Sequence, residues 1–413
     1  MTVTMLKPAP SRTLPPPLAV EVLRQNLTQA LSLLTDASSK RATLPILGFY
    51  LLEANHEEQR LYLSATNLEV GLRLYISAQV ETSGRLAVPV VLFSNFIRET
   101  QDDQVRLMSE PRLRRLLVQC GKLKASINGL EADEFPAVFQ RSEAPALQFE
   151  TEALRHLIQL TTFACSTEIA RPVLQGVHLS TGSGKMTLAG ADSFRISIAE
   201  MKHEGEVLSS CILPATALAL LDKVLQADTT STHVRLQIET KSFARAVFQT
   251  DTALMTIAMI EGEFPDYAAI VPHGYNSTAK FSPGALKQAL KAVDVIAREG
   301  GAHTARFHFS PLHVALSVIN SAGDGDGDVE CDFSESQTDR PEGVPFTISF
   351  NTRYMIEALD LISETQAQLG MTSVNGIACL SPIGSEMIDW KYLVMPMAIG
   401  ESKPPETPPT PAA

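Results

Sequence analysis

The chain has 413 residues, 45% of them hydrophobic, and a formal net charge of −12, which sets it among folded proteins of two to four domains. No apolar run reaches the roughly 18 residues of a spanning helix, and the five cysteines (Cys120, Cys165, Cys211, Cys331, Cys379) form no CxxC pair, which argues against a helical membrane protein, a disulfide scaffold and a cysteine zinc site. The expectation is a soluble, cytoplasmic chain with reduced thiols, too acidic to grip nucleic acid by charge neutralisation alone.

Residues 1–17 carry Pro8, Pro10, Pro15, Pro16 and Pro17 and read as an extended or disordered N-terminal extension. An amphipathic helix follows, with Leu23, Leu27, Leu31 and Leu34 on one stripe and Arg24, Gln25, Thr28 and Gln29 off it. Alternating runs such as Leu61-Tyr62-Leu63-Ser64 and residues 113–119 have strand periodicity. Val88-Pro89 opens a second helix over residues 92–100, and the stretch closes on Gly129-Leu130-Glu131-Ala132-Asp133-Glu134-Phe135-Pro136.

The same order then recurs. A helix with Leu154, Leu157, Ile158 and Thr161 on one side carries Arg155, His156 and Gln159 on the other. Met186-Thr187-Leu188-Ala189 and residues 234–238 and 244–248 read as strands, and Leu213-Pro214 opens a helix over 216–225. That dipeptide lies 125 residues after Val88-Pro89, the interval that also separates Thr66-Asn67-Leu68-Glu69 from Ala191-Asp192-Ser193-Phe194. The second copy ends on Ile260-Glu261-Gly262-Glu263-Phe264-Pro265-Asp266-Tyr267.

A third, fainter copy has Leu286, Leu290, Val293 and Ala297 opposite Lys287, Gln288 and Lys291, a strand over 313–318, and a helix over 353–362 opened by Phe350-Asn351. Leu393-Val394-Met395-Pro396 ends it, and residues 401–413 form a proline-rich tail expected to be disordered. Units this long are whole domains, not solenoid repeats. The expected fold is therefore α+β, three repeated domains of two helices against antiparallel sheet, with boundaries at 18–143, 144–273 and 274–400. The opening helices share a polar face of bases and amides with few acids, which fits a solvated face or a shared working one.

Chemistry-bearing motifs are absent: the chain has no GxxxxGK[ST], GxSxG, HExxH or GxGxxG between a strand and a helix. His303, His308 and His313 are five residues apart, which gathers no ligands on one face, so no metal and no cofactor are expected. Asp324-Gly325-Asp326-Gly327-Asp328 looks like the start of a calcium loop but lacks the closing glutamate, and reads as a flexible acidic hairpin.

Three segments carry a family resemblance. Thr43-Leu44-Pro45-Ile46-Leu47-Gly48 resembles the TLPILG segment of the bacterial DNA polymerase III beta subunit, the sliding clamp. Glu263-Phe264-Pro265-Asp266-Tyr267 is similar to its RFPDY segment and Val394-Met395-Pro396-Met397 to its VMPM terminus, in order and in register with the triple repeat. The resemblance runs from Leu18 to Ile399. It implies a non-catalytic processivity factor, a head-to-tail homodimer closed as a ring around duplex DNA. Such a ring holds DNA topologically, independent of sequence, so an acidic exterior is no obstacle. The partners it implies are the polymerase III catalytic subunit, the clamp loader and other clamp-binding proteins; no membrane is implied.

The resemblance also implies site residues. A pocket for partner peptides would comprise Arg171, Leu174, Ala191, Phe194, Arg195 and Ile196, completed by Pro265, Ile270, Asn351, Tyr354, Met395, Pro396 and Met397. Leu174 and Ile196 fit a plain core role equally well. DNA-facing bases would be Arg24, Arg41, Arg155, Lys287 and Lys291. The dimer interface would set Lys122, Lys124 and Ile127 against Val295, Ile296, Asp324, Asp326 and Asp328. The chain departs from the family pattern where Ser193-Phe194 replace Gly-His, where Ala268-Ala269 follow Tyr267, and where Val91, Pro172 and Val173 take usual hole-facing positions. These departures leave open a specialised clamp paralogue with altered partner preference; an enzyme with an unrecognised site is the other alternative.

Overall fold

Each repeat opens with a strand that runs directly, or after one residue, into a helix. Ala19–Leu23 leads to helix α1 (Arg24–Ala37), and the second helix of this repeat is α2 (Val90–Glu99). Ala146–Glu150 leads to α3 (Thr151–Thr162), with α4 (Ala215–Ala227) following. Ser277–Phe281 leads to α5 (Pro283–Glu299), with α6 (Thr352–Leu359) following. The computed structural model describes residues 16–39, 44–137, 139, 145–203, 209–240, 244–299, 301, 303–320, 323–335, 346–385 and 387–397. Most of the N-terminal extension, Arg41 and the C-terminal tail lie outside these residues.

The apolar stripes are buried as their spacing requires: Leu27, Leu31 and Leu34 in α1, Leu154, Leu157, Ile158 and Thr161 in α3, and Leu286, Leu290, Val293 and Ala297 in α5. Leu23 is a correction. It is the last strand residue and the extended N-cap of α1, and its side chain is exposed, so it does not head the stripe. The second helices start where the backbone is pre-set for them. Pro89 and Pro214 are the N-caps of α2 and α4, and at α6 the Asn351 carboxamide oxygen accepts from the Arg353 and Tyr354 N–H groups. The last helix stops at Leu359, short of the expected Ile362.

The chain divides into two compact units. In the first (Met1–Arg155 with His203–Ile260), one sheet has the order Gln79–Thr82, Ala19–Leu23, Gln104–Glu110, Arg115–Cys120, Leu123–Asn128. The other runs Ala146–Glu150, His233–Glu239, Arg245–Gln249, Ala253–Ala258, Val70–Ser77, Arg60–Thr66, Phe49–Asn55, Gly84–Pro89. It passes from the second repeat to the first without a break, because Ala253–Ala258 pairs antiparallel with Val70–Ser77.

In the second unit (His156–Lys202 with Glu261–Ala413) one long sheet joins the second and third repeats. Its seam is the antiparallel pair Arg195–Lys202 and Ile388–Val394, in register from Arg195↔Val394 to Met201↔Ile388. The repeat holds at the level of single atoms. Asn67 Oδ1 accepts from the N–H of Glu69 and Val70, and 125 residues on Asp192 Oδ1 accepts from Phe194 and Arg195, closing the same turn.

The acidic stretch is the second strand of a hairpin and is paired along its length. Gly323–Glu335 pairs residue for residue with His313–Asn320, from Asn320↔Gly323 to His313↔Glu330. Two of its glycines face α5: a Cβ on Gly325 would come 2.8 Å from Ile296 Cδ1, and one on Gly327 3.6 Å from the Ala289 Cβ. The intervening Asp324, Asp326 and Asp328 point to solvent. Alternating Gly and Asp is thus a period-two pattern in which the inward side has no room for a side chain at Gly325.

At the end of α4, Asp228 accepts hydrogen bonds from the N–H groups of Thr230 and Ser231 and from the hydroxyls of Thr230, Thr250 and Thr252. Burial works against the charged form, but these bonds win and hold the carboxyl well below its ordinary value of 3.8. A depressed folded-state value means stability present above the unfolded value and lost as pH falls through the folded one. Stability against urea is therefore expected to drop as pH falls below about 4, and to drop less steeply in Asp228→Asn. Parallel pH profiles for the two proteins would contradict this.

No helix among the described residues is long and apolar enough to cross a membrane. His303 bonds to Asp294, His308 to Thr347 and Ser317, and His313 to Asp328, and no cluster of metal-ligating side chains occurs among the described residues.

Candidate functional site

The seam strands of the second unit present two faces, because successive side chains alternate. On the helix side, Ser197 donates to the Leu160 carbonyl and accepts from Trp390 Nε1 at 2.8 Å. Arg195 shares this side and is only 8% exposed. Its Nε bonds to Asp192 at 3.0 Å, Nη1 to Glu357 at 2.6 Å and Nη2 to the Phe163 carbonyl at 2.9 Å. The guanidinium also lies 4.2 Å from the centre of the Tyr354 ring. Arg195 and Tyr354 therefore lock α6 to the turn before the seam; Arg195 is buried there, while Tyr354 stays partly exposed. Asn351 is likewise occupied as the cap of α6.

The opposite face is apolar. Alternation places Phe194, Ile196 and Ile198 there from one strand and Leu393 and Met395 from the other; Ile196 pairs with Leu393, and the Met395 N–H donates to the Phe194 carbonyl at 2.8 Å. Ile196 packs against a buried cluster of Ala189, Ile198, Cys379 and Leu393, whereas Phe194 is 53% and Met395 43% exposed. After Met395 the backbone crosses to Phe346–Asn351, where the Met397 N–H donates to the Ser349 carbonyl, and Pro396 and Met397 are half-buried.

Residues 261–273 cover one side of this face. Phe264 and Tyr267 turn inward onto the cluster, Phe264 stacked on His178 with centroids 5.3 Å apart and Tyr267 edge-on to it at 5.8 Å. Burial keeps His178 below the usual histidine value, so the ring is neutral and packs as an aromatic. With both rings turned in, Pro265 and Ile270, on the same segment, are left exposed, as are Phe194 and Met395. Gly262 begins this excursion at φ +134°, where a Cβ would meet Val173 at 2.6 Å.

Apart from the half-buried Pro396 and Met397, the pocket residues expected from sequence separate into three groups. Phe194, Ile196, Pro265, Ile270 and Met395 belong to the apolar face or its cover. Leu174 and Ala191 are buried core, and Arg171 is exposed and donates to Ser193 Oγ at 3.0 Å. Arg195, Asn351 and Tyr354 form the lock. Sequence reasoning missed the His178–Phe264–Tyr267 anchor, which joins residues too far apart to be read together; Leu393 is buried core beneath it.

Three of the candidate DNA-facing bases have acidic partners. Arg155 is 13% exposed and bridges Glu152 and Asp222, while Lys287 and Lys291 both pair with Asp360, at 3.1 and 3.5 Å. Arg24 is the first residue of α1, its N–H bonded to the Asp103 carbonyl. Among the candidate interface residues, Lys124 is exposed on Leu123–Asn128, the edge strand of its sheet, with Lys122 exposed in the turn before it. Ile127 is a correction: at 2% exposure it belongs to the core, and Leu123 is the exposed apolar residue of that strand. Val295 is exposed, Ile296 is half-buried beneath Gly325, and the three aspartates lie on the outer side of their strand.

Family models for the DNA polymerase III beta subunit match the chain three times: the N-terminal domain over residues 18–139, the central domain over 148–266 and the C-terminal domain over 268–398. A beta sliding clamp from Synechococcus elongatus is 28% identical over 384 residues, spanning 92% of this chain and 99% of its own length. The Bacillus subtilis sliding clamp structure superposes with a TM-score of 0.83 at 20% identity, covering 93% of this chain and 100% of its own. The C. crescentus beta sliding clamp gives 0.82 at 25%, covering 93% and 99%. Three helix-over-sheet domains joined through shared antiparallel sheets define the class of DNA clamp folds. The chain belongs to the bacterial DNA polymerase III beta subunit family, the non-catalytic beta sliding clamps of DNA replication.

Proposed function

We propose that two copies of this chain close head to tail into a ring around duplex DNA and tether the replicative polymerase to it. The observation that carries this reading is a pair of strand edges of opposite charge. Leu123–Asn128 ends its sheet with Lys122 and Lys124 beside it, and the 323–330 part of Gly323–Glu335 pairs, among the described residues, only with His313–Asn320 while carrying Asp324, Asp326 and Asp328. Two such edges invite each other, and closing them removes exposed strand edges. Leu123 and Val295 would supply the apolar contact, with the charges setting orientation and association rate.

The domains of this ring run 18–143, 144–273 and 274–400. Its hole is only weakly basic, because Arg155, Lys287 and Lys291 already have acidic partners; Arg24 and Arg41 complete the set. Retention on DNA is then topological, with little non-specific affinity. The polymerase III catalytic subunit, the clamp loader and other clamp-binding proteins dock short apolar segments on the face bounded by Phe194, Ile196, Pro265, Ile270 and Met395, where the flexible Met side chain accommodates varied ligands. The ring works in the cytoplasm. Relatives described simply as beta sliding clamps favour this reading over a specialised paralogue.

Sedimentation at micromolar concentration is expected to show a dimer, and Leu123→Asp is expected to shift it toward monomer. A wild-type chain that stays monomeric across that range would overturn the ring.

A further inference from the structure

The segment that packs against the apolar face through Phe264 and Tyr267 carries charge of one sign. Residues 261–273, which carry Pro265 and Ile270, contain Glu261, Glu263 and Asp266 and no lysine or arginine. All three acids are exposed, and none forms an ion pair with a described residue; Asp266 only accepts the Ala268 N–H at 3.1 Å. Two cations of the seam strands already have acidic partners. Arg195 is buried among Asp192, Glu357 and Phe163, and Lys391, on the same strand face as Leu393, is 3.1 Å from Asp389. Arg171 lies near Ser193 on the far side of Phe194 in sequence and remains the one exposed base of the candidate set.

We propose that the partner of this face is an extended peptide whose large apolar anchor is flanked by lysine or arginine. The proposal rests on the docking reading above and adds the chemistry of the ligand's flanks. Phe194, Ile270 and Met395 are large apolar side chains left open to solvent, and they take the anchor. Glu261, Glu263 and Asp266 then meet the residues beside it. Rim charges of this kind discriminate between partners through long-range attraction that salt screens, whereas the anchor supplies affinity that salt leaves in place.

The test uses the full-length protein and two synthetic peptides with the same Leu-Phe core, one flanked by lysines and the other by glutamates, followed by fluorescence anisotropy. The lysine peptide is expected to bind roughly fivefold tighter at low ionic strength, with the difference shrinking at high salt. Glu263→Lys combined with Asp266→Lys, both surface changes, is expected to reverse the order. Equal affinity for the two peptides, or tighter binding of the glutamate peptide by the wild type, overturns the proposal. Met395→Ala separates the two readings. If it weakens both peptides while they bind wild type equally, the docking face stands and the basic flank falls. If neither peptide binds the wild type, or if Met395→Ala changes neither affinity, the docking reading falls and the flank proposal with it.

Discussion

Arg195→Ala is expected to destabilise the second unit by about 3–5 kcal/mol, the loss typical when one member of a buried ion pair is removed and its partners stay behind. Asp192 would keep its two backbone bonds but lose its counter-charge, Glu357 would lose the shorter of its contacts, and the Phe163 carbonyl would lose a donor. The Tyr354 ring would also face a void where the guanidinium stood. Trp390 is the single tryptophan of the chain and pairs with Ala199 on the strand that begins at Arg195, so its fluorescence reports this sheet directly. Arg195→Lys keeps the charge without the planar fork and is expected to fall between alanine and wild type. A urea midpoint for Arg195→Ala within error of wild type would mean the lock carries no weight.

Met395→Ala is expected to weaken a leucine- or phenylalanine-bearing clamp peptide by about 2 kcal/mol, close to thirtyfold, while the dimer persists. The asymmetry follows from position. Met395 lies beyond the last strand residue, exposed on the apolar face, and its backbone bond to Phe194 does not depend on the side chain. Peptide titration beside sedimentation checks both halves. An unchanged peptide affinity would place docking elsewhere. In the same titration Phe194→His, which restores the family's usual residue, is expected to raise affinity for the family's usual peptide.

Much of the fold was legible because it is written locally and more than once. The apolar stripes of α3 and α5 are buried residue for residue, and the 125-residue interval reappears as one turn closed by Asn67 and again by Asp192. What stayed hidden depends on partners far away in the chain. Nothing near Arg155 announces Asp222, and nothing near Lys287 announces Asp360, so the pairing of these bases could not be read. The Gly-Asp alternation from Gly323 to Asp328 read as a flexible hairpin because glycine and aspartate are turn formers; the ladder with His313–Asn320 and the approach of Ile296 to Gly325 explain them as ordered strand residues. Ile127 and Leu123 exchanged roles because periodicity tells which residues share a face but not which face is covered. For the same reason Arg195 and Ile196, adjacent in the candidate pocket, belong to opposite sides of the sheet.

The central claim is that this acidic chain holds DNA by enclosing it. The direct measurement is retention on DNA after loading by a clamp loader, compared between a nicked circle and the same molecule linearised, in high salt. The ring predicts that protein stays on the circle and is lost on cutting, because release then needs only an open end. Equal retention on both forms, falling steeply and alike with salt, would mean ordinary surface binding and contradict enclosure.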